Sequence, residues 1–391
     1  MSIVSLYQIE QWKRTGYNSA GALRMSVEIG IIGLPKSGKT TIFNGLARGK
    51  ASTVTYTKGL SPHVGVAIVP DQRLDKLASL LHPKKVVPAE VKYIDIGASV
   101  KDLVTEKGIG GQLLNQLSAT DALINVVRAF VDDSIPHPEG SLNVERDIAA
   151  MNLELTFSDL AILERRLERI ETSLKAAKPA ERQTVQHEQD LLMKLKAELE
   201  KDIPIREMKL TAEEVKTISN YQFLTAKPLL VVVNIGEDQL PQAKTVEADL
   251  NSRYSRPRCR IIAACGKLEM ELAQLDESAA QEFRTSFNIT ESGLDRTVKV
   301  SYELLELISF FTTVSDEVKA WTIRNGTSAL KAAGKIHTDM ERGFIRAEVI
   351  LYDDLMKCGG MAEARKQGLI RAEGKSYIVR DGDVITFLFN V

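Results

Sequence analysis

Gly33-Leu34-Pro35-Lys36-Ser37-Gly38-Lys39-Thr40 sets two glycines, a lysine and a hydroxyl at GxxxxGK[ST] spacing. That pattern is built for polyphosphate. Glycines at both ends let the backbone wrap so that its N–H groups converge on phosphate oxygens. A helix starting near Lys39 adds the positive end of its dipole. The Lys39 ammonium is placed for the β and γ oxygens, and the Thr40 hydroxyl for Mg²⁺. Pro35, Lys36 and Ser37 form the bend of the loop, and Thr41 follows it. A second Mg²⁺ contact belongs on an acid at the end of a neighbouring strand, and Asp95 follows the apolar run Val91–Ile94. After a further apolar run comes Asn234-Ile235-Gly236-Glu237. GTPases carry Asn-Lys-x-Asp there, and the aspartate accepts two donors from guanine. Here the acid is one methylene longer and the lysine is absent, which weakens the case for guanine. The mixed amide of Asn234 is suited to adenine, which offers an amino donor beside a ring acceptor.

These residues need a scaffold that ends several strands on one side. Val27–Ile32 reads as a buried strand, Gly33 opens the loop, and Lys39–Ala47 reads as a helix. Further strands are predicted at Val64–Val69, Val91–Ile94, Ala122–Val127, Pro228–Val233 and Arg260–Ala263, alternating with helices. The class is α/β, with a mostly parallel sheet covered by helices. From about Leu142 to Ile218 the pattern turns helical and charged. Leu153, Phe157, Leu160, Leu163, Leu167, Ile170 and Leu174 form one stripe, and Val185, Leu192, Leu195 and Leu199 a second, with a break at Lys178-Pro179-Ala180. This predicts two long helices packed as an antiparallel hairpin. After about Val300 a compact α+β module is expected. Its strands fall at Phe344–Leu351, Ser376–Val379 and Val384–Phe389, with a turn at Asp381-Gly382-Asp383.

Composition bounds the remainder. With 391 residues, 44% hydrophobic and 26% charged, the chain is ordinary globular material for two or three domains. Net charge of −1 supplies no global basic field, so no DNA partner is expected. Cys259, Cys265 and Cys358 show no paired spacing, which fits a reducing compartment. The five histidines are scattered, so no structural zinc is expected. No apolar run reaches membrane-spanning length. The expectation is a soluble, cytoplasmic monomer whose residues 1–25 form a loosely ordered extension.

The chain resembles the YchF / Obg-like ATPase family from about Val27 to Val391. The resemblance rests on the P-loop and on Pro62-His63-Val64-Gly65-Val66, Val69-Pro70-Asp71-Gln72-Arg73-Leu74-Asp75, Asp95-Ile96 and Asn234-x-x-Glu237. Toward the C-terminus it continues through Ala320-Trp321-Thr322-Ile323, Ile336-His337-Thr338-Asp339, Arg342-Gly343-Phe344-Ile345-Arg346-Ala347-Glu348-Val349 and Glu373-Gly374-Lys375. It implies a P-loop G-domain (26–140 and 219–303), an inserted coiled-coil arm (141–218) and a C-terminal TGS domain of β-grasp type (304–391). It implies preference for ATP over GTP, slow Mg²⁺-dependent hydrolysis, and association with RNA or the ribosome, in particular its large subunit. Cys265-Gly266-Lys267 falls where the family's Ser-Ala-Lys loop approaches the base, so Cys265 and Gly266 are expected to contact the purine through their backbone. The departures concern turnover. Ala98 stands where a family glycine brings its N–H to the γ-phosphate. Gly59 takes the position of the switch threonine, and Ser99 that of a hydrophobic residue. Lys36-Ser37 replaces the usual Asn-Val. A nucleotide-binding interaction module that scarcely hydrolyses, and a GTPase, stand as alternatives.

Overall fold

A computed structural model describes residues 27–47, 63–95, 104–105, 108–109, 111–176, 178–254, 256–286, 289, 291–314 and 316–390. The expected N-terminal extension and the switch positions Gly59, Ala98 and Ser99 lie outside the described residues. By contacts the chain divides into two units, Glu28–Ala67 with Lys92–Leu304, and Ile68–Val91 with Leu305–Val391.

The first unit is organised on a six-stranded sheet. Its strands are β1 (Glu28–Ile32), β2 (His63–Ile68), β4 (Glu90–Asp95), β5 (Ala122–Arg128), β6 (Leu229–Asn234) and β7 (Cys259–Ala264), in the order β2-β4-β1-β5-β6-β7. β1 pairs in parallel with β4 and β5, β5 with β6, and β6 with β7. Every residue of β5 and β6 is buried, as parallel strands covered on both faces require. The expected α/β class with a mostly parallel sheet is therefore what the chain adopts. Because β1 lies between β4 and β5, the loop after it sits where strand order reverses, the usual place for a ligand in such sheets. Helix α1 (Lys39–Ala47) follows that loop and buries Ile42, Phe43 and Leu46.

Helices α4 (Val144–Ala176) and α5 (Pro179–Leu199) form the expected hairpin. At 33 residues, α4 runs about 50 Å. Pro179 opens α5 at a position where its missing N–H costs nothing. The predicted stripe holds only along the distal part of α4. There Leu163 and Ile170 pack with Leu191, Leu192, Leu195 and Leu199. Leu153 and Phe157 are exposed instead, while Ile148, Met151 and Leu155 enter the core beside the sheet. The helix must change partner along its length, so a single stripe cannot serve both ends. Buried Asp159 fastens the return segment by accepting from Leu224 N (2.9 Å), Thr225 N (2.7 Å) and Thr225 Oγ1 (2.6 Å).

The second unit holds a sheet of β8 (Leu307–Val314), β9 (Glu317–Arg324), β10 (Phe344–Leu351), β11 (Arg371–Glu373) and β12 (Asp383–Phe389). Its sixth strand is β3 (Lys85–Val87), which pairs with β9 and completes the order β11-β10-β12-β8-β9-β3. The strand predicted at Ser376–Val379 is absent: only an isolated bridge joins Ser328 to Ile378, and the edge strand is β11. Residues 68–91 were expected within the P-loop domain but group with this sheet. Arg73 explains part of that. Its guanidinium bridges Asp71 and Asp381, each at 2.8 Å, and lies 5.5 Å above the Phe311 ring. Phe310, Ala332, Ala333, Val349 and Ile385 form the core below.

No helix among the described residues is long and apolar enough to cross a membrane.

Candidate nucleotide site

Residues 33–38 leave β1 as a tight loop. Gly33 and Gly38 have φ of 150° and 90°. A Cβ at Gly33 would run into the Val126 carbonyl, and one at Gly38 into the Asn234 amide. Only glycine satisfies both constraints. Lys36 holds φ of 62°, in the left-handed region, with its side chain exposed. The Ile42 N–H bonds to the Gly38 carbonyl at 3.0 Å and starts α1 directly out of the loop.

The Lys39 ammonium donates to the Gly33 and Leu34 carbonyls, each at 3.0 Å, and is thereby folded over the loop. Burial lowers its pKa, opposed by the charge of Asp95. Asp95 ends β4 and is fully buried. Burial pushes its carboxyl above the ordinary range, against the Thr40 hydrogen bond and the charges of Lys39 and His63. Its Oδ2 accepts from Thr40 Oγ1 at 3.1 Å, and its Oδ1 has no hydrogen-bond partner among the described residues. A buried carboxylate oxygen with no donor, next to a hydroxyl, suits a hard divalent cation. Two protein ligands are few, but Mg²⁺ commonly takes one or two and completes its shell with water and phosphate. The predicted pairing of Thr40 with Asp95 is present in the geometry.

At the other end of the loop Asn234 is a brace. Its Nδ2 donates to the Ser37 carbonyl at 3.1 Å, and its Oδ1 accepts from Gly266 N at 3.0 Å. One buried side chain thus joins the P-loop, β6 and the loop after β7. The sequence suggested adenine as its partner, but both ends of the amide are already bonded to backbone. Cys265 is buried just before helix α7 (Gly266–Leu272), and burial raises its thiol pKa. Glu237 begins a short 3₁₀ turn, and its Oε1 lies 3.0 Å from Lys267 Nζ. Pro35 lines the loop's inner cleft, and Thr41 sits in the first turn of α1.

Sequence reasoning missed one cluster. The cleft beside Leu34, Pro35 and Ser37 is also lined by Asn125, Arg128, His137 and Asp147. His137 Nε2 is 2.9 Å from Asp147 Oδ2, both side chains being buried, and Arg146 reaches Asp147 Oδ1 at 2.8 Å. Arg128 donates to the carbonyls of Phe130, Asp132 and Ile135 at 3.2, 3.1 and 2.8 Å, and so shapes the loop that delivers His137. No spacing rule finds a His–Asp pair ten residues apart. The fold alone brings it to the P-loop.

The sheet order, the glycine loop and the lysine folded over it define a P-loop protein of the G-domain kind. Comparisons with known proteins agree. The family model YchF-GTPase_C, described as a protein of unknown function (DUF933), matches residues 307–390. The chain is 41% identical to the ribosome-binding ATPase YchF of Bacillus subtilis over 370 residues, 94% of this chain and all of that protein. It is 37% identical over 374 residues to the protein of the same name from Escherichia coli O157:H7, again 94% of this chain and all of the relative. Obg-like ATPase 1 of Caenorhabditis elegans matches at 36% over 376 residues, 95% of this chain and 94% of that one. Among solved structures, the Schizosaccharomyces pombe YchF GTPase superposes with a TM-score of 0.81 at 31% identity, covering 96% of this chain and all of that one. The chain belongs to the YchF / Obg-like ATPase family.

Proposed function

We propose that this chain binds ATP with Mg²⁺, hydrolyses it slowly, and associates with the ribosome under nucleotide control. The assembly of Lys39, Thr40 and Asp95 around the glycine loop carries this reading. In it, backbone N–H groups of residues 33–38 and the Lys39 ammonium hold the phosphates, while Thr40 and Asp95 hold Mg²⁺, which would neutralise charge on the β and γ oxygens. Asn234 keeps the loop in shape, and Glu237 with the Cys265-Gly266 backbone faces the base. Ala98 supplies a backbone donor toward the γ-phosphate. The bacterial relatives' printed name, ribosome-binding ATPase, supports the choice of nucleotide and of partner.

Two observations favour neighbouring readings. The fission-yeast structure is described as a GTPase, and Gly59, Ala98 and Ser99 depart from the family's switches in a direction that weakens turnover. One set of measurements separates all three readings. ATP, GTP and their non-hydrolysable analogues are titrated by calorimetry, phosphate release is followed, and co-sedimentation with ribosomes is scored with each nucleotide. Tighter binding of ATP than GTP, slow phosphate release and nucleotide-dependent sedimentation are expected. A tenfold preference for GTP, about 1.4 kcal/mol, overturns the ATP assignment.

A further inference from the structure

We propose that Lys267, through its ion pair with Glu237, makes this site discriminate against guanine. The inference rests on the nucleotide-binding reading above and adds a specificity residue to it.

The pair spans the two loops that meet at Asn234. Glu237 stands three residues after Asn234, and Lys267 directly follows Gly266, whose N–H is bonded to Asn234 Oδ1. Lys267 Nζ and Glu237 Oε1 are 3.0 Å apart. A carboxylate by itself is two acceptors, which match guanine's adjacent N1–H and 2-amino donors. An ammonium donates and cannot accept. With one carboxylate oxygen committed to Lys267, the loops present one free acceptor flanked by a donor. Adenine's edge is the complement, a 6-amino donor flanked by the N1 acceptor. Guanine would set one of its two donors against the ammonium, a mismatch of the kind that discriminates best in a polar site.

Two further features point the same way. Lys267 sits in the first turn of α7, where the helix dipole disfavours a cation. The helix itself therefore gains nothing from it. Lys267 also feels Glu271 in the same helix, and Asp132 feels Lys267 in turn. Removing the ammonium leaves an acceptor-rich rim that suits guanine's donors. The two side chains are 70% and 42% exposed, so the pair contributes little to stability and its variants should fold.

The test measures Kd for Mg-ATP and Mg-GTP by calorimetry on the full chain, in wild type, Lys267→Ala, Lys267→Arg, Glu237→Gln and the double variant Glu237→Gln/Lys267→Ala. Lys267→Ala should lower the ATP:GTP affinity ratio about three- to fivefold, the scale of an exposed pair, and Lys267→Arg should keep it. The Lys267→Ala effect should vanish in the Glu237→Gln background. Raising salt from about 0.05 to about 0.5 M should lower the wild-type ratio and leave that of Lys267→Ala unchanged. An unchanged ratio in Lys267→Ala overturns the proposal. So does a selective loss of GTP affinity, which would mean that the ammonium reads guanine O6. Failure of the wild type to bind either nucleotide would instead refute the nucleotide-binding reading.

Discussion

Asn234→Ala removes one side chain and orphans two buried backbone groups, the Ser37 carbonyl and the Gly266 N–H. Asn234 is 4% exposed, so water does not replace the lost bonds. Each orphaned group costs about 1–3 kcal/mol, roughly 2–5 kcal/mol together. For a unit of this size that lowers the melting temperature by about 5–15 °C. Affinity should suffer as well. With Ser37 untethered, the left-handed geometry at Gly33, Lys36 and Gly38 is no longer held in advance and must be ordered on binding, so ATP affinity should fall at least tenfold. Asn234→Asp keeps an acceptor for Gly266 but sets a carboxylate oxygen against the Ser37 carbonyl, so it should weaken the loop while leaving the β7 side joined. The assay is urea unfolding followed by far-ultraviolet circular dichroism, with calorimetric titration of ATP on the same samples. Trp321 lies in the C-terminal sheet and does not report on this unit. If Asn234→Ala unfolds within about 0.5 kcal/mol of wild type and binds ATP equally well, Asn234 is not a brace and the account of the loop is wrong.

Lys39→Ala should abolish measurable triphosphate binding, because a neutral side chain cannot offset the phosphate charge; wild-type affinity would remove the P-loop assignment. Asp95 ligates a cation only when ionised, and burial raises its pKa, so Mg²⁺-dependent ATP affinity should begin to fall with decreasing pH above the range where an exposed aspartate protonates. Asp95→Asn should be weak and flat with pH, and a wild-type profile as flat as the variant's counts against the metal assignment. Gly59→Thr with Ala98→Gly should raise single-turnover ATP cleavage while leaving affinity nearly unchanged, one lost transition-state donor being worth on the order of 10²–10³ in rate. Equal cleavage rates at saturating Mg²⁺ would show that these positions do not limit the chemistry. Gly38→Ala should be worse than a simple loop substitution, because its Cβ displaces the Asn234 amide; retention of both stability and ATP binding would contradict the geometry.

Where function is local in sequence it was legible. The run from Gly33 to Thr40 specifies strand, turn and helix through glycines at positive φ and an apolar strand before them, so the phosphate loop is readable without coordinates. Asp95 was legible because strands of a parallel sheet end on the same side, which makes the residue after a neighbouring strand a candidate by position. The hairpin was legible in its distal half, where α4 meets one partner with one periodicity. Tertiary structure decided the rest. Leu153 and Phe157 carry the right spacing but lie on the wrong side once α4 turns its proximal face to the sheet. Strand β3 is three residues long and belongs to a sheet whose other strands begin at residue 307, a pairing no local pattern encodes. The same holds for the amide of Asn234, the pair of His137 with Asp147, and the pair of Glu237 with Lys267. Local chemistry shows what each side chain can donate or accept. Which partner it meets depends on the packing of segments far apart in the chain, and that packing follows from burial of the whole core.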